Sequence, residues 1–329
     1  MAGTTTGGTT TAGTAGTRPY LLLATTMLLW GGGFSSSKVI VDHLSHSVVA
    51  VLRFGGGALA LLVALRLSRR GGDGDGHPRS PRRSPARDWV RAAAAGVLGV
   101  FVYNLLFFWG LSLAPAIDGS VVVPVMSPVL TTAFLLLTRQ DKASAARVAG
   151  LACGAAGAVI FFVGSGGAAG GGQARLAGDL LFLLSAGCWA GFTLLGRRVL
   201  AGIEPLRATA YATASGAVLL ALYSAPAAVE VAWGEVPVHV WLNVVFVALG
   251  PTAVANVLYY RGIQDVGPAS ASIMMFLVPV VGTACSGLFL GESFGAVQAA
   301  GAVVLLVGAV LAVTQGRLPK RRRAVTISR

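Results

Sequence analysis

Hydrophobic residues run through this chain in long blocks, broken by short clusters rich in Arg, Pro, Gly and Asp. A helix needs about 20 apolar residues to cross the hydrocarbon core of a bilayer. Ten stretches meet that criterion, at residues 20–40, 47–67, 90–112, 116–137, 145–164, 177–197, 206–225, 239–260, 269–290 and 296–315, and Pro226 follows the seventh closely. The pattern predicts an all-α, polytopic membrane protein of about ten transmembrane helices. Residues 1–17 contain only Thr, Gly and Ala after Met1, which cannot bury a core, so residues 1–18 read as a disordered cytoplasmic segment. Arg18 alone precedes the first block, and Gly31–Gly33 and Ser35–Ser37 lie in its second half, which favours a retained helix over a cleaved signal peptide.

Composition agrees with the periodicity. Hydrophobic residues make up 55% of the chain and charged residues 11%, against about 25% charged in soluble domains. Lipid is the solvent such a surface suits. The net charge of +13 is confined to segments between apolar blocks, so it reads as membrane orientation and not as a nucleic-acid footprint. With the N-terminus placed in the cytoplasm, 22 of the 25 Lys and Arg fall on the cytoplasmic side; Lys38 and Arg175 fall outside, and Arg53 lies inside a span. This predicts a multi-pass protein of the cytoplasmic membrane with both termini cytoplasmic, a basic tail at 316–329 and an Arg-rich cytoplasmic linker at 69–87. That linker serves as a solvated topology determinant or lies on anionic headgroups. Cys153, Cys188 and Cys285 all sit in apolar blocks, with no spacing that suggests a disulfide framework or a metal site. No cofactor is expected.

The two halves resemble each other. Leu98-Gly99 recurs as Leu249-Gly250, Asn104 as Asn256, Gly110 as Gly262, Pro128 as Pro279, Gly150 as Gly301 and Gly157 as Gly308. Trp30 likewise matches Trp189, and Lys38 matches Arg197. Each half holds five spans, an odd number, so the second copy must enter the membrane from the opposite side. Two inverted five-helix repeats, at 19–164 and 175–315, are a known way to build alternating access.

The chain here resembles the ten-helix members of the drug/metabolite transporter superfamily that carry two EamA-type domains. The resemblance rests on Trp30-Gly31, on Arg53, on the run Gly267-Pro268-Ala269-Ser270-Ala271-Ser272, on Pro279, on Leu290-Gly291-Glu292, and on Gly301 and Gly308. In the first half Arg139-Gln140-Asp141 stands where the family usually has a Gly-Glu pair. The resemblance implies a secondary transporter of small metabolites or drugs, with export as the family-level expectation, and no particular substrate. Two other classes stay open: a non-transporting membrane subunit or sensor, and an intramembrane enzyme. The chain has no phosphate-binding loop and lacks the clustered His, Asp or Glu at a membrane face that an intramembrane enzyme would need, which argues against the enzyme. Self-association as a homodimer stays open too.

Polar residues inside spans are costly and need partners or a water-filled path. Asn104 and Asn256 are candidate substrate contacts, or else interhelical hydrogen bonds joining the repeats. Asn256 and Tyr260 share a helix face. Arg53 needs a carboxylate or backbone acceptors: Asp118 and Glu292 are candidate partners, and the resemblance favours this structural role over a contact with a substrate carboxylate or phosphate. Trp30, Tyr103 and Trp189 adjoin the Gly-rich or Asn positions and complete the candidate substrate-binding set. Pro128 and Pro279, expected inside helices, are candidate hinges.

Overall fold

The computed structural model describes residues 18–71, 85–140, 144–166, 172–199, 203–266 and 274–314. The expected N-terminal disordered segment, most of the Arg-rich linker, the basic tail and the Gly267–Ser272 run lie outside the described residues. Those described are almost entirely helical. In chain order they form α1 (Arg18–Val41), α2 (His46–Gly71), α3 (Pro85–Gly96), α4 (Tyr103–Leu113), α5 (Ala116–Leu137), α6 (Ala145–Gly166), α7 (Gly172–Val199), α8 (Pro205–Val229), α9 (Val238–Val247), α10 (Ala255–Val266), α11 (Leu277–Leu290) and α12 (Ala296–Thr314). A π-helical turn, Val97–Val102, joins α3 to α4 in one continuous rod, and a second, Ala248–Val254, joins α9 to α10.

Eight of these helices or rods are long and apolar enough to cross a membrane, and α11 is a shorter apolar helix. The protein is therefore an all-α polytopic membrane protein. Helix α1 is as long as its neighbours but less apolar, and its position explains why. Gly31, Gly33, Ser35 and Ser37 are buried against other helices, so this stretch faces protein and not lipid. Ser35 shares a hydrogen bond with Ser286 of α11 at 3.1 Å, and Thr26 of α1 also contacts the Ala255 carbonyl of α10. The seventh span continues through Pro226 to Val229.

The inversion of the halves is visible along the seam between α6 and α12, the equivalent last helices of the two repeats. Gly150 meets Ala312, Gly157 meets Leu305, and Gly164 meets Gln298. Residue numbers rise along one helix as they fall along the other, so the equivalent helices run antiparallel. A side chain on Gly157 or Gly308 would collide with the partner's backbone, so glycine is what permits this close approach. Helix α1 packs on α9, α10 and α11 of the second half, while α7 packs on α3, α4 and α5 of the first. Each half thus inserts its first helix against the third and fourth spans of the other.

The two hinge prolines differ in their surroundings. Pro128 lies inside α5, as does Pro124. Pro279 does not lie in a helix interior as expected, because α11 starts at Leu277 and the proline occupies its first turn. An N–H there has no intrahelical acceptor, so the ring removes no helix bond. Helix α11 ends at Gly291, with φ +67°, in the left-handed conformation of a glycine C-cap. The equivalent residue of the first half, Arg139, also adopts a positive φ of 55°. A side chain in that region costs roughly 1 kcal/mol. Arg139→Gly is expected to raise the unfolding temperature of the detergent-solubilised protein, and a fall would show that the arginine makes a compensating contact.

Candidate functional site

A cavity of about 120 Å³ lies where the two halves meet. Its wall includes Trp30 and Phe34 of α1, Arg53 and Phe54 of α2, Tyr103 and Phe107 of α4, Pro124 and Ser127 of α5, Trp189 of α7, Pro251 and Thr252 of the second π-turn, and Asn256 of α10. Five of the residues singled out in the sequence therefore meet at one cavity: Trp30, Arg53, Tyr103, Trp189 and Asn256. The Tyr260 side chain lies outside the described residues. Asn104 is fully buried and is not among the lining residues.

Both asparagines lie just after π-turns. The turns occupy equivalent positions in the two halves and disturb the regular ladder of helix hydrogen bonds. Pro251, inside the second turn, removes one donor outright. Asn104 donates its amide to the Val100 carbonyl at 2.6 Å, and Asn256 donates to the Thr252 carbonyl at the same distance. Among the described residues neither amide makes an interhelical hydrogen bond; each donates to a carbonyl of its own helix. The Pro251 carbonyl accepts from the Trp30 indole at 3.1 Å, which ties α1 to the second π-turn.

The aromatic residues pair across the halves. Trp30 packs on Tyr259 with ring centroids 4.9 Å apart, and Trp189 packs on Tyr103 at 5.3 Å. Each repeat's tryptophan thus rests on a tyrosine of the other repeat.

Arg53 pairs with neither carboxylate proposed for it. Its Nε donates to the Thr252 hydroxyl at 3.2 Å and an Nη to the Ser37 hydroxyl at 3.4 Å. The guanidinium also lies 5.1 Å from the Phe54 ring centroid and 5.8 Å from that of Phe108. Among the described residues no carboxylate forms a salt bridge with it. Two hydroxyls and aromatic faces hold the cation in place without neutralising it.

The expected partners serve elsewhere, at one end of the bundle. Glu292, aimed by the turn at Gly291, accepts from the Ala116 and Ile117 N–H groups at 3.0 and 2.8 Å and so caps α5. Asp118 takes a two-pronged contact from Arg175, at 2.6 Å from Nε and 2.8 Å from Nη2. Gln298 donates to Asp118 and accepts from Arg175, each at 2.8 Å. These bonds tie α5 of the first half to α7, α12 and the α11–α12 turn of the second. This polar cluster was missed in the sequence. The signal available was Arg175, one of only two basic residues assigned to the outer side.

With this geometry in hand, relatives are informative. The sequence pattern of the EamA-like transporter family matches the chain twice, over residues 17–163 and 176–314. The chain belongs to the EamA-like transporter family. This EamA-like transporter is 27% identical over 284 residues to the protein named "Uncharacterized transporter YyaM" of Bacillus subtilis (strain 168), covering 86% of this chain and 90% of that one. It is 28% identical to a "Probable terminal-alkyne amino-acid exporter" of Streptantibioticus cattleyicolor, over 77% of this chain and 82% of the relative. A weaker similarity, 25% over 61% of this chain and 67% of the relative, is to the "Aromatic amino acid exporter YddG" of Ancylobacter novellus. One solved crystal structure shares the fold, with a TM-score of 0.62 over 93% of this EamA-like chain and 99% of that chain at 23% identity.

Proposed function

We propose that this transporter exports small amino acids or related carboxylates with an apolar or aromatic side chain, and that the cavity at the repeat interface is their site. The observation that carries the reading is Arg53: a guanidinium at the cavity wall, held by hydroxyls and left without a protein carboxylate among the described residues. A planar fork of donors suits a substrate carboxylate, which would supply the missing counter-charge. Trp30, Tyr103 and Trp189 offer faces to an apolar side chain and to an ammonium group. The cavity is well below the ~300 Å³ of a drug-sized pocket, which favours a small metabolite over a large drug. The relatives named as amino-acid exporters favour the same class.

Transport proceeds by alternating access, with the two inverted halves exchanging conformations about the site. The hinge role falls to α5, where Pro124 and Pro128 interrupt the ladder beside the cavity. The charge distribution supports a cytoplasmic position for both termini, and on that reading the Asp118 end is the outer face.

The test is counterflow in proteoliposomes with a panel of labelled phenylalanine, leucine, phenethylamine, glucose and a nucleoside. Flux of the amino acids but not of phenethylamine is the expected result. Flux of the amine or the sugar alone would overturn the assignment.

A further inference from the structure

The cluster at the Asp118 end contains a second acid that the substrate site does not use. Asp179 of α7 is fully buried, as is Asp118. Asp179 lies one turn along α7 from Arg175, which grips Asp118, so the two acids are neighbours around one guanidinium. Neither oxygen of Asp179 meets a donor among the described groups. Ser165 of α6 is the hydroxyl donor nearest Asp179, and it is shared with the carbonyls of Phe161 and Phe162 of its own helix. From α7 itself comes Arg175, whose fork is directed to Asp118, and from α12 comes Gln298, whose amide goes to the same acid. Glu292 is bound to the α5 backbone, and Lys38 of α1 pairs with Asp42 at 2.9 Å.

Two neighbouring buried carboxylates repel unless one carries a proton, and a hydroxyl shared with helix carbonyls does not cancel that repulsion. With one proton the pair holds a single negative charge, which Arg175 balances. With none, an uncompensated negative charge is buried between the halves.

We propose that Asp118 and Asp179 bind one proton between them, and that this proton is the ligand that keeps this end of the bundle closed. It is taken from the water at that end as the halves close. The same water receives it when the carboxylates separate and the end opens. Proton binding at this site therefore couples opening to pH, independently of what occupies the central cavity.

The test uses the full-length protein in lipid nanodiscs and no substrate. Hydrogen–deuterium exchange at residues 116–120, corrected for the intrinsic effect of pH, should lose at least about tenfold protection between about pH 5 and about pH 9. Asp179→Asn supplies a neutral donor to Asp118 and should stay protected throughout. Infrared difference spectra of the wild type should show a protonated-carboxyl band that disappears on the same rise in pH, shifted in Asp179→Glu. Wild-type protection independent of pH, an asparagine variant that opens like the wild type, or absence of that band at every pH would overturn the proposal. Should Asp179→Asn not fold, the wild-type spectrum and its shift in Asp179→Glu decide the question.

Discussion

Arg53→Met is expected to lower amino-acid flux about a hundredfold while leaving the fold intact. The methionine keeps most of the unbranched stem beside Phe54 and Phe108 and removes the charged fork. Losing one partner of a desolvated charge pair costs about 3 kcal/mol or more, and each 1.4 kcal/mol is about tenfold. No protein carboxylate among the described residues loses a partner, so the unfolding temperature should hold within a few degrees. Thr252 and Ser37 lose a contact each, but Thr252 keeps its own hydrogen bond to the Val247 carbonyl at 2.8 Å. Flux in proteoliposomes and a thermal melt check the two halves of the prediction. Undiminished flux would remove Arg53 from the site; a collapsed melt would make it structural.

Arg175→Met has the opposite signature, a loss of folded protein. Asp118 is fully buried, and Arg175 supplies both its ion pair and, with Gln298, its hydrogen-bond shell. Removing one partner of a buried pair typically costs about 3–5 kcal/mol, because it leaves the other charge uncompensated. Replacing both partners with apolar residues avoids most of that cost. The double variant Arg175→Met/Asp118→Leu should therefore recover much of the stability lost in the single one. Denaturant unfolding in detergent measures the cycle. A single variant as stable as the wild type would show that the pair holds nothing together.

The contrast between these arginines shows what the sequence could and could not convey. Spans were legible because lipid demands uninterrupted apolar length, and the halves were legible because small residues such as Gly150 and Gly301 are needed where backbones touch. The aromatic residues and Arg53 were legible as polar or bulky intrusions into apolar blocks, and the structure brings them to one cavity. Their partners were not legible. Pairing Arg53 with Asp118 or Glu292 was reasonable by depth along the helices, yet the side chains face different neighbours, and helix rotation is set by packing across the repeats. The π-turns were hidden as well. Asn104 and Asn256 follow them, and each donates to a carbonyl of its own helix, within the turn. Pro279 matched Pro128 in sequence but sits in a first turn, because the second-half helix begins at Leu277.

The central claim is that a substrate carboxylate completes the charge of Arg53 at the repeat interface. Trp30 and Trp189 line that cavity, so their fluorescence should report binding. The decisive measurement is a titration of the detergent-solubilised protein with phenylalanine and with phenethylamine, which differ only in the carboxylate, for wild type and Arg53→Met. Saturable quenching by phenylalanine alone, lost in the variant, is the predicted result. Equal binding of the amine, or binding that survives Arg53→Met, would contradict the account.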